Sequence, residues 1–589
     1  MEKRSLKQMY LEQLTAGLPA ILSEIASSGA CKPEYWGITN QDVVYSLALA
    51  HEISHPTNPF FGRADVLEAA GLAGDYLRSL QDDTGQVEFV KVGGSTWGQI
   101  YPPFTIYHWL EAYRLLQDKF SPERKKRWAE GLLLALSGMD REIRAVSADQ
   151  ISDQQQYEKN WIFKKPFQVN NISTWNGMSL FRAGEVFRRD DWKETGRTMV
   201  REAAKAMNPG GFWPEFGGPT TYYNLVLLHA IGLYYGFSKD PSVLPALEKA
   251  VEFQIHFTYP DGRVVETIDG RVRYDDRVQE RGHPAFAHFP QGRGYLRFLQ
   301  EQMKVDALSP EPPAPIYTVF DLPFFQRKTD IPSSASPLLH IALQTIEGQE
   351  SAEEVQPPQS RADYLYTLGD QALVRKQGDW FYCLSGITLE GRESKWAMDR
   401  QNHVSLWHRR AGLIVGGGNS QDQPEWSSFV VGSKHTASSG RVELRPKGDR
   451  VLLSFPDATG LMEVTLVSQT EAILNLHILG EADRHQARSN IVLKLHPWKQ
   501  ITTALGERFF FTDQPITLHS CRTGPWVEHC GWRMCMPQGS VLTWPVFPTN
   551  PYNPDNSSPF GSSRGILTVS HSGGSPVRVT FSIGEAKGE

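Results

Sequence analysis

Lys447-Gly-Asp-Arg-Val-Leu-Leu-Ser-Phe455, Pro456-Asp-Ala-Thr-Gly460, Leu461-Met-Glu-Val-Thr-Leu-Val467 and Ile473-Leu-Asn-Leu-His-Ile-Leu479 lie almost end to end. Short runs rich in Val, Ile and Leu, separated by Lys447-Gly-Asp and Asp457-Ala-Thr-Gly, read as strands joined by tight turns. The same signature recurs at Ala372-Leu-Val-Arg, Trp380-Phe-Tyr-Cys-Leu, Leu413-Ile-Val and Val577-Arg-Val-Thr-Phe-Ser-Ile. Many short strands at regular spacing predict one large antiparallel β-sandwich from about residue 361 to 589.

Working outward toward the N-terminus, the period changes. Apolar residues recur at helical spacing in 4–27, 41–53, 63–82, 106–119, 122–145, 174–189, 192–207, 220–237, 241–258 and 292–303. Ser121-Pro122-Glu123 and Asp240-Pro241 place a capping side chain before a proline at the first helical position. Helices joined by loops of varied length, without a short fixed repeat, predict paired helices in a toroid over 1–305. Between the halves, Ser309-Pro-Glu-Pro-Pro-Ala-Pro315 and Ile331-Pro-Ser-Ser-Ala-Ser-Pro337 cannot hold a long helix, so 306–360 reads as a Pro-rich linker. The expected fold is therefore multidomain, α then β. An N-terminal (α/α) toroid, an incomplete barrel of helical hairpins, precedes a C-terminal antiparallel β-sandwich.

Composition narrows the function classes. With 589 residues, 40% apolar and 21% charged, the chain is neither collagen-like nor disordered. The formal charge of −6 argues against a nucleic-acid-coating protein, so no nucleic-acid partner is expected. No apolar run approaches a membrane span, and the start Met1-Glu-Lys-Arg-Ser-Leu-Lys-Gln-Met-Tyr lacks an apolar leader core. The expected location is cytoplasmic, or secreted or periplasmic if a leader was removed. Cys31, Cys383, Cys521, Cys530 and Cys535 form no CxxC pair and fit free thiols. The 16 Trp suit both core packing and stacking against sugars.

Four clusters carry candidate chemistry. In Asn170-Asn171-Ile-Ser-Thr-Trp175, an Asn amide either caps the following helix or neutralises a substrate carboxylate. In Gly210-Gly-Phe-Trp213-Pro-Glu215-Phe-Gly-Gly-Pro219-Thr-Thr-Tyr222-Tyr223, a glycine-rich loop enters a helix that begins with two tyrosines. A Tyr in the first helical turn either packs or acts as a proton acceptor, its phenolate favoured by unpaired N–H groups and the helix dipole. Residues 261–300 hold seven Arg and no Lys, interleaved with Glu266, Asp269, Asp275, Asp276 and Glu280. Arg263, Arg271 and Arg293 either clamp carboxylates in bidentate geometry or pair internally, with His288 beside them. In Trp396-Ala-Met-Asp399-Arg400-Gln-Asn-His403-Val-Ser-Leu-Trp407-His408, alternation puts His403, Ser405 and Trp407 on one face. His403 reads as a proton donor or acceptor, or as a structural or metal-ligating His.

Together these segments resemble the heparinase II/III-like and alginate-lyase-like polysaccharide lyases, which join an (α/α) toroid to a β-sandwich. Asn170-Asn171-Ile-Ser-Thr-Trp resembles the family's Asn-Asn-His-Gly-Thr-Trp segment. Pro214-Glu-Phe-Gly-Gly-Pro-Thr-Thr-Tyr-Tyr resembles the loop with the catalytic Tyr. Arg400-Gln-Asn-His403 before Gly416-Gly-Gly resembles the β-domain segment that brings a His to the cleft. Ile172 departs from the family, which has His there. The resemblance implies a polysaccharide or oligosaccharide lyase that cleaves a uronic-acid-containing glycan by β-elimination. Tyr222 or Tyr223, His403 and Asn171 would be catalytic. Asn170, Trp175, Trp213, Glu215, Arg263, Arg271, His288, Arg293 and Arg400 would contact substrate. The implied partner is an anionic polysaccharide or oligosaccharide, and exo action on imported oligosaccharides would suit a chain without a leader. No cofactor is required, and no spacing demands a metal, although a structural calcium or zinc ion is compatible with the sequence.

Two rival expectations stand beside this one. A glycoside hydrolase on the same toroid would use Glu215, in its apolar Trp213-Pro-Glu-Phe216 setting, and Asp269 as the carboxylate pair. A non-catalytic glycan-binding protein would suit the loss of the family His at Ile172.

Overall fold

The computed structural model describes residues 4–31, 39–90, 96–148, 170–214, 218–271, 278–308, 336–347, 352–389, 398, 402–417, 420–480, 487–512, 514–550, 555–558, 560–571 and 575–584. The chain divides into two compact units. One comprises 1–213, 223–252 and 279–357, and the other 214–222, 253–278 and 358–589.

The first unit is helical. Its helices are α1 (Leu6–Glu24), α2 (Val43–Glu52), α3 (Ala64–Ser79), α4 (Pro103–Leu116), α5 (Pro122–Ala148), α6 (Asn171–Val186), α7 (Asp190–Lys205), α8 (Thr221–Ser238), α9 (Leu244–His256) and α10 (Pro290–Leu308). Most of α8 and α9 lie in this unit. The spans follow the helical period of the sequence. The Ser121 hydroxyl accepts from the Arg124 N–H at 3.2 Å, as the cap reading requires. Asp240 caps Ser242, but the chain passes through a 3-10 turn, Pro241–Val243, before α9 begins. Within the stretch read as linker, Pro337–His340 and Leu343–Ile346 form single helical turns with Leu338, Leu339 and Leu343 buried in this unit.

Two features hold the helices in register. The buried Glu111 carboxylate on α4 accepts from Arg182 of α6, from Arg114 and from Gln344. Burial alone would raise its pKa, but the two guanidiniums outweigh that and hold it low. Second, α6 and α7 meet through glycines: a Cβ on Gly196 would lie 2.4 Å from the Gly177 carbonyl oxygen and 2.5 Å from the Phe181 nitrogen. Gly196→Ala is therefore expected to destabilise the helical unit by about 1–3 kcal/mol, read as a lower urea midpoint, because rigid backbone must move. An unchanged midpoint would mean that the two helices separate freely.

Buried neutral histidines add a pH dependence. His283 is fully enclosed, with Nε2 donating to the Gln279 carbonyl at 2.9 Å and Nδ1 accepting from the Tyr10 hydroxyl at 2.6 Å. Burial pushes its pKa down to about 4, against 6.5 for an ordinary His. The unfolded chain therefore binds a proton that the folded chain refuses between those values. Stability is complete above about pH 6.5 and falls as pH drops toward 4, by about 3 kcal/mol for this ring. Melting followed across that window should show the slope, and His283→Gln should make it shallower. An identical slope would remove His283 from the account.

The second unit carries the sandwich. A ten-stranded antiparallel sheet contains β3 (Asp363–Leu368), β4 (Ala372–Gln377), β5 (Trp380–Ser385), β6 (Val404–His408), β7 (Gly412–Val415), β8 (Phe429–Val431), β13 (Ala487–Leu493), β16 (Ile516–His519), β19 (Val541–Val546) and β20 (Arg564–Ser570). A nine-stranded sheet contains β9 (Ser439–Glu443), β10 (Asp449–Phe455), β11 (Ala458–Ser468), β12 (Glu471–Gly480), β14 (Ile501–Thr503), β15 (Arg508–Phe509), β17 (Trp526–His529), β18 (Trp532–Cys535) and β21 (Val577–Ile583). A hairpin, β1 (Val87–Val90) with β2 (Thr96–Ile100), belongs to the helical unit. The stretch 447–479 forms the β10–β11–β12 meander, paired Val451↔Met462 and Met462↔Leu476. Leu373, Tyr382 and Leu406 of the first sheet share one core with Val451, Met462 and Leu474 of the second, as a sandwich requires.

Candidate active site

On the outer face of the ten-stranded sheet, β3, β5 and β6 are met by side chains of the segment 253–271. Tyr366 stacks on His256 at 4.0 Å, and Phe381 meets Tyr259 edge-on at 5.3 Å. Gln359 donates its amide to the carbonyls of Ile255 and Thr258. Strand alternation explains which side chains face this segment. Val404 and Leu406 of β6 enter the sandwich core. On the opposite face, the Trp407 indole donates to Asp261 at 2.8 Å, and Ser405 lies against Gly416. His403 shares that parity, as the sequence pattern predicts.

Within the segment, Tyr259 and Arg263 close a tight turn, and Glu266 and Asp269 close the next. The second turn holds two carboxylates with different partners. Glu266 is buried, and its Oε1 accepts from the Gly417 N–H at 2.6 Å. Its Oε2 accepts from the Tyr259 hydroxyl at 2.9 Å. Burial, reinforced by this carboxylate, pushes the Tyr259 pKa far up, so Tyr259 remains the donor. The Gly417 carbonyl accepts from Nε of Arg564, whose buried guanidinium also donates to the Ser563 carbonyl at 2.8 Å. A buried anion and a buried cation thus grip the two sides of one residue. Gly416 has φ +101° and Gly417 φ +81°, and a Cβ on Gly416 would lie 2.7 Å from the Glu266 carboxylate.

Asp269 serves a helix. Its Oδ2 accepts from the N–H and the hydroxyl of Thr221, both at 3.0 Å, and from the Tyr222 N–H at 3.3 Å. Oδ1 accepts from the Arg271 N–H at 2.9 Å. Asp269 therefore caps the start of α8 from 48 residues away. Tyr222 and Tyr223 are the second and third residues of that helix, and both are buried. The sequence left this positive helix end open either to a phenolate or to a packed tyrosine. In the structure a carboxylate already occupies two of those N–H groups.

His403 is buried and fixed. Its N–H donates to the Ser428 hydroxyl at 3.0 Å, and Nδ1 lies 2.7 Å from the Ser385 carbonyl. A carbonyl only accepts, so Nδ1 carries a proton, and in the neutral ring Nε2 would be the acceptor. Neighbouring Cys383 is no rival nucleophile, because burial pushes its thiol far up.

The remaining sequence candidates fall as follows. Asn170 is the N-cap of α6 in a reciprocal pair with Ser173, and Asn171 Oδ1 accepts from the Ile172 N–H at 3.0 Å. Trp175 and Trp213 are not sugar platforms. Both are buried in the helical unit, and their indoles donate to the carbonyls of Val226 and Ala203. Arg293 donates to the Ala287 and Glu353 carbonyls, and burial lowers its pKa. His288 contacts the Gly232 carbonyl at 2.8 Å, and burial lowers it to about 4. Both are structural contacts of the helical unit rather than a carboxylate clamp. Arg263 pairs with Asp261 at 3.2 Å. Glu215 and Arg400 lie outside the described residues. Among the described residues there is no cluster of three or more His, Cys, Asp or Glu able to hold a metal, and all five cysteines are free. No described helix is long and apolar enough to cross a membrane. Sequence reasoning missed the gripping of Gly417. Its signal was the run Gly416-Gly-Gly, which marks backbone approached closely.

No protein-family model and no curated protein matches the sequence. Among solved structures, the chain is similar to heparinase III, with a TM-score of 0.52 at 11% identity over 98% of this chain and 84% of that one. It is also similar to the Streptomyces coelicolor A3 chondroitin AC lyase in complex with chondroitin sulphate. That match has a TM-score of 0.48 at 12% identity over 98% of this chain and 79% of the other. The heparinase III likeness shows the fold, a helical toroid followed by an antiparallel β-sandwich.

Proposed function

We propose that this protein is a lyase that cleaves a uronate-containing polysaccharide by β-elimination. One observation carries the reading: the Glu266–Asp269 turn ties two candidate groups into one compact unit. Asp269 holds the start of α8 at Tyr222, and Glu266 holds the loop that follows β7, next to the strand of His403. The fold shared with heparinase III supports the same class.

In the proposed reaction Tyr222 takes the C5 proton of the uronate. The C5–H electrons form the C4–C5 double bond, the C4–O4 bond breaks, and the departing O4 takes the proton that Tyr222 has just received, which returns the phenolate. Spreading charge into the carboxylate demands a neutralising donor, for which the amide of Asn171 and the side chain of Arg271 are the candidates. His403, with Nε2 as acceptor, is the second proton-handling group. The hydrolase reading is weaker, because the Asp269 carboxylate is occupied as a helix cap.

The test is incubation of the whole protein with heparan sulfate, chondroitin sulfate, hyaluronan and alginate, followed by the ultraviolet absorbance of the unsaturated product. A rise with at least one glycan is expected. New reducing ends without the chromophore would establish hydrolysis instead, and neither signal with any glycan would leave a binding protein.

A further inference from the structure

The three most exposed large apolar side chains among the described residues are Trp498, Leu505 and Phe510, at 64%, 65% and 64%. All lie on or beside the β14–β15 hairpin at one edge of the nine-stranded sheet. Their exposure is built in by alternation. Ile501 belongs to the core, and Phe509 and Phe511 pack against it, which turns Phe510 outward between them. The register Arg508↔Thr502↔Glu528↔Arg533 carries the outer face across four strands, and Arg533 lies over the Trp526 ring at 4.3 Å.

The charge of this surface opposes that of the chain. The protein is −6 overall, yet the hairpin presents exposed Lys499 and Arg508, with no acidic partner among the described residues. Arg522 reaches Glu507 only at 3.9 Å in an exposed setting, a pair too screened to cancel its charge. Exposed rings beside cations that no described acid pairs suit a polymer whose units offer apolar faces and regularly spaced anions.

We propose that the β14–β15 edge is a docking surface for an anionic polysaccharide chain. Trp498 and Phe510 stack against sugar faces, and Lys499 and Arg508 meet carboxylate or sulfate groups. The choice of occupant rests on the proposed function; the surface itself does not depend on turnover. The site would hold a stretch of long polymer, so it should matter for polymer and not for short oligosaccharides.

The test compares the whole protein with Trp498→Ala/Phe510→Ala and Lys499→Ala/Arg508→Ala on immobilised heparan sulfate and chondroitin sulfate, at several salt concentrations. All four side chains are exposed, so melting should be unchanged. Each double variant should bind at least one glycan about tenfold more weakly. The charge variant should also show a flatter salt dependence. Wild-type protein that binds neither glycan, or variants that bind as wild type, would overturn the proposal. So would sedimentation showing that wild type self-associates, the variants do not, and glycan binding is equal. Loss of binding in variants of a protein that eliminates no glycan would sink the lyase reading and keep the surface. Elimination with unchanged polymer binding would do the reverse.

Discussion

Tyr222→Phe is expected to lower kcat for elimination roughly a thousandfold, about 4 kcal/mol of barrier, while leaving the fold intact. The change removes one hydroxyl and keeps the ring, so the packing around this buried residue persists. Its main-chain bond to Asp269 is untouched, and so is the start of α8. What disappears is the oxygen that exchanges protons with C5 and O4. The Asp269 carboxylate at this helix end offsets the dipole, so a phenolate gains little from the helix itself. Support for it must come from neighbouring donors. Tyr223→Phe is the necessary comparison, since the adjacent tyrosine is also a buried residue. A large loss in Tyr223→Phe with normal activity in Tyr222→Phe would transfer the role, and full activity in both would remove tyrosine from the mechanism.

Glu266→Leu should destabilise the β unit by about 3–5 kcal/mol, seen as a large drop in its urea midpoint. The substitution strands the Gly417 N–H and the Tyr259 hydroxyl, both of which now donate to a buried carboxylate. It also leaves the Arg564 guanidinium on the far side of Gly417 without the nearby anion. Glu266→Gln, which retains an acceptor oxygen, should lose less. If Leu and Gln behave alike and both are mild, the carboxylate is not what holds the loop.

Much of the fold was legible because it depends on local periods. The meander from Asp449 to Gly480 alternates with period 2, and the helices from Leu6 to Leu308 follow period 3.6. The Asn170 cap was legible for the same reason, since its partner Ser173 is three residues away. The site is harder to read because its bonds are long-range. Nothing in the spacing of Asp269 announces that it caps Thr221, or that Glu266 meets Gly417 across 151 residues. Trp residues mislead for another reason. A buried indole whose N–H reaches a main-chain carbonyl, as at Trp175 and Trp213, has the same local composition as a sugar platform. Among the described residues, the exposed indole is at Trp498.

The membership of the β unit has a practical consequence for anyone dividing this chain. A fragment that begins at Pro358 would contain every strand of the two large sheets and still be incomplete. Phe381 and Tyr366 would meet water where Tyr259 and His256 now lie, and Gly417 would lack the Glu266 acceptor. Such a fragment should aggregate, and supplying residues 253–278 as a separate peptide should restore its solubility. The primary structure separates that peptide from the strands by residues 279–357 of the other unit, so an expression boundary drawn at the change from helix to strand would cut a folding unit in two.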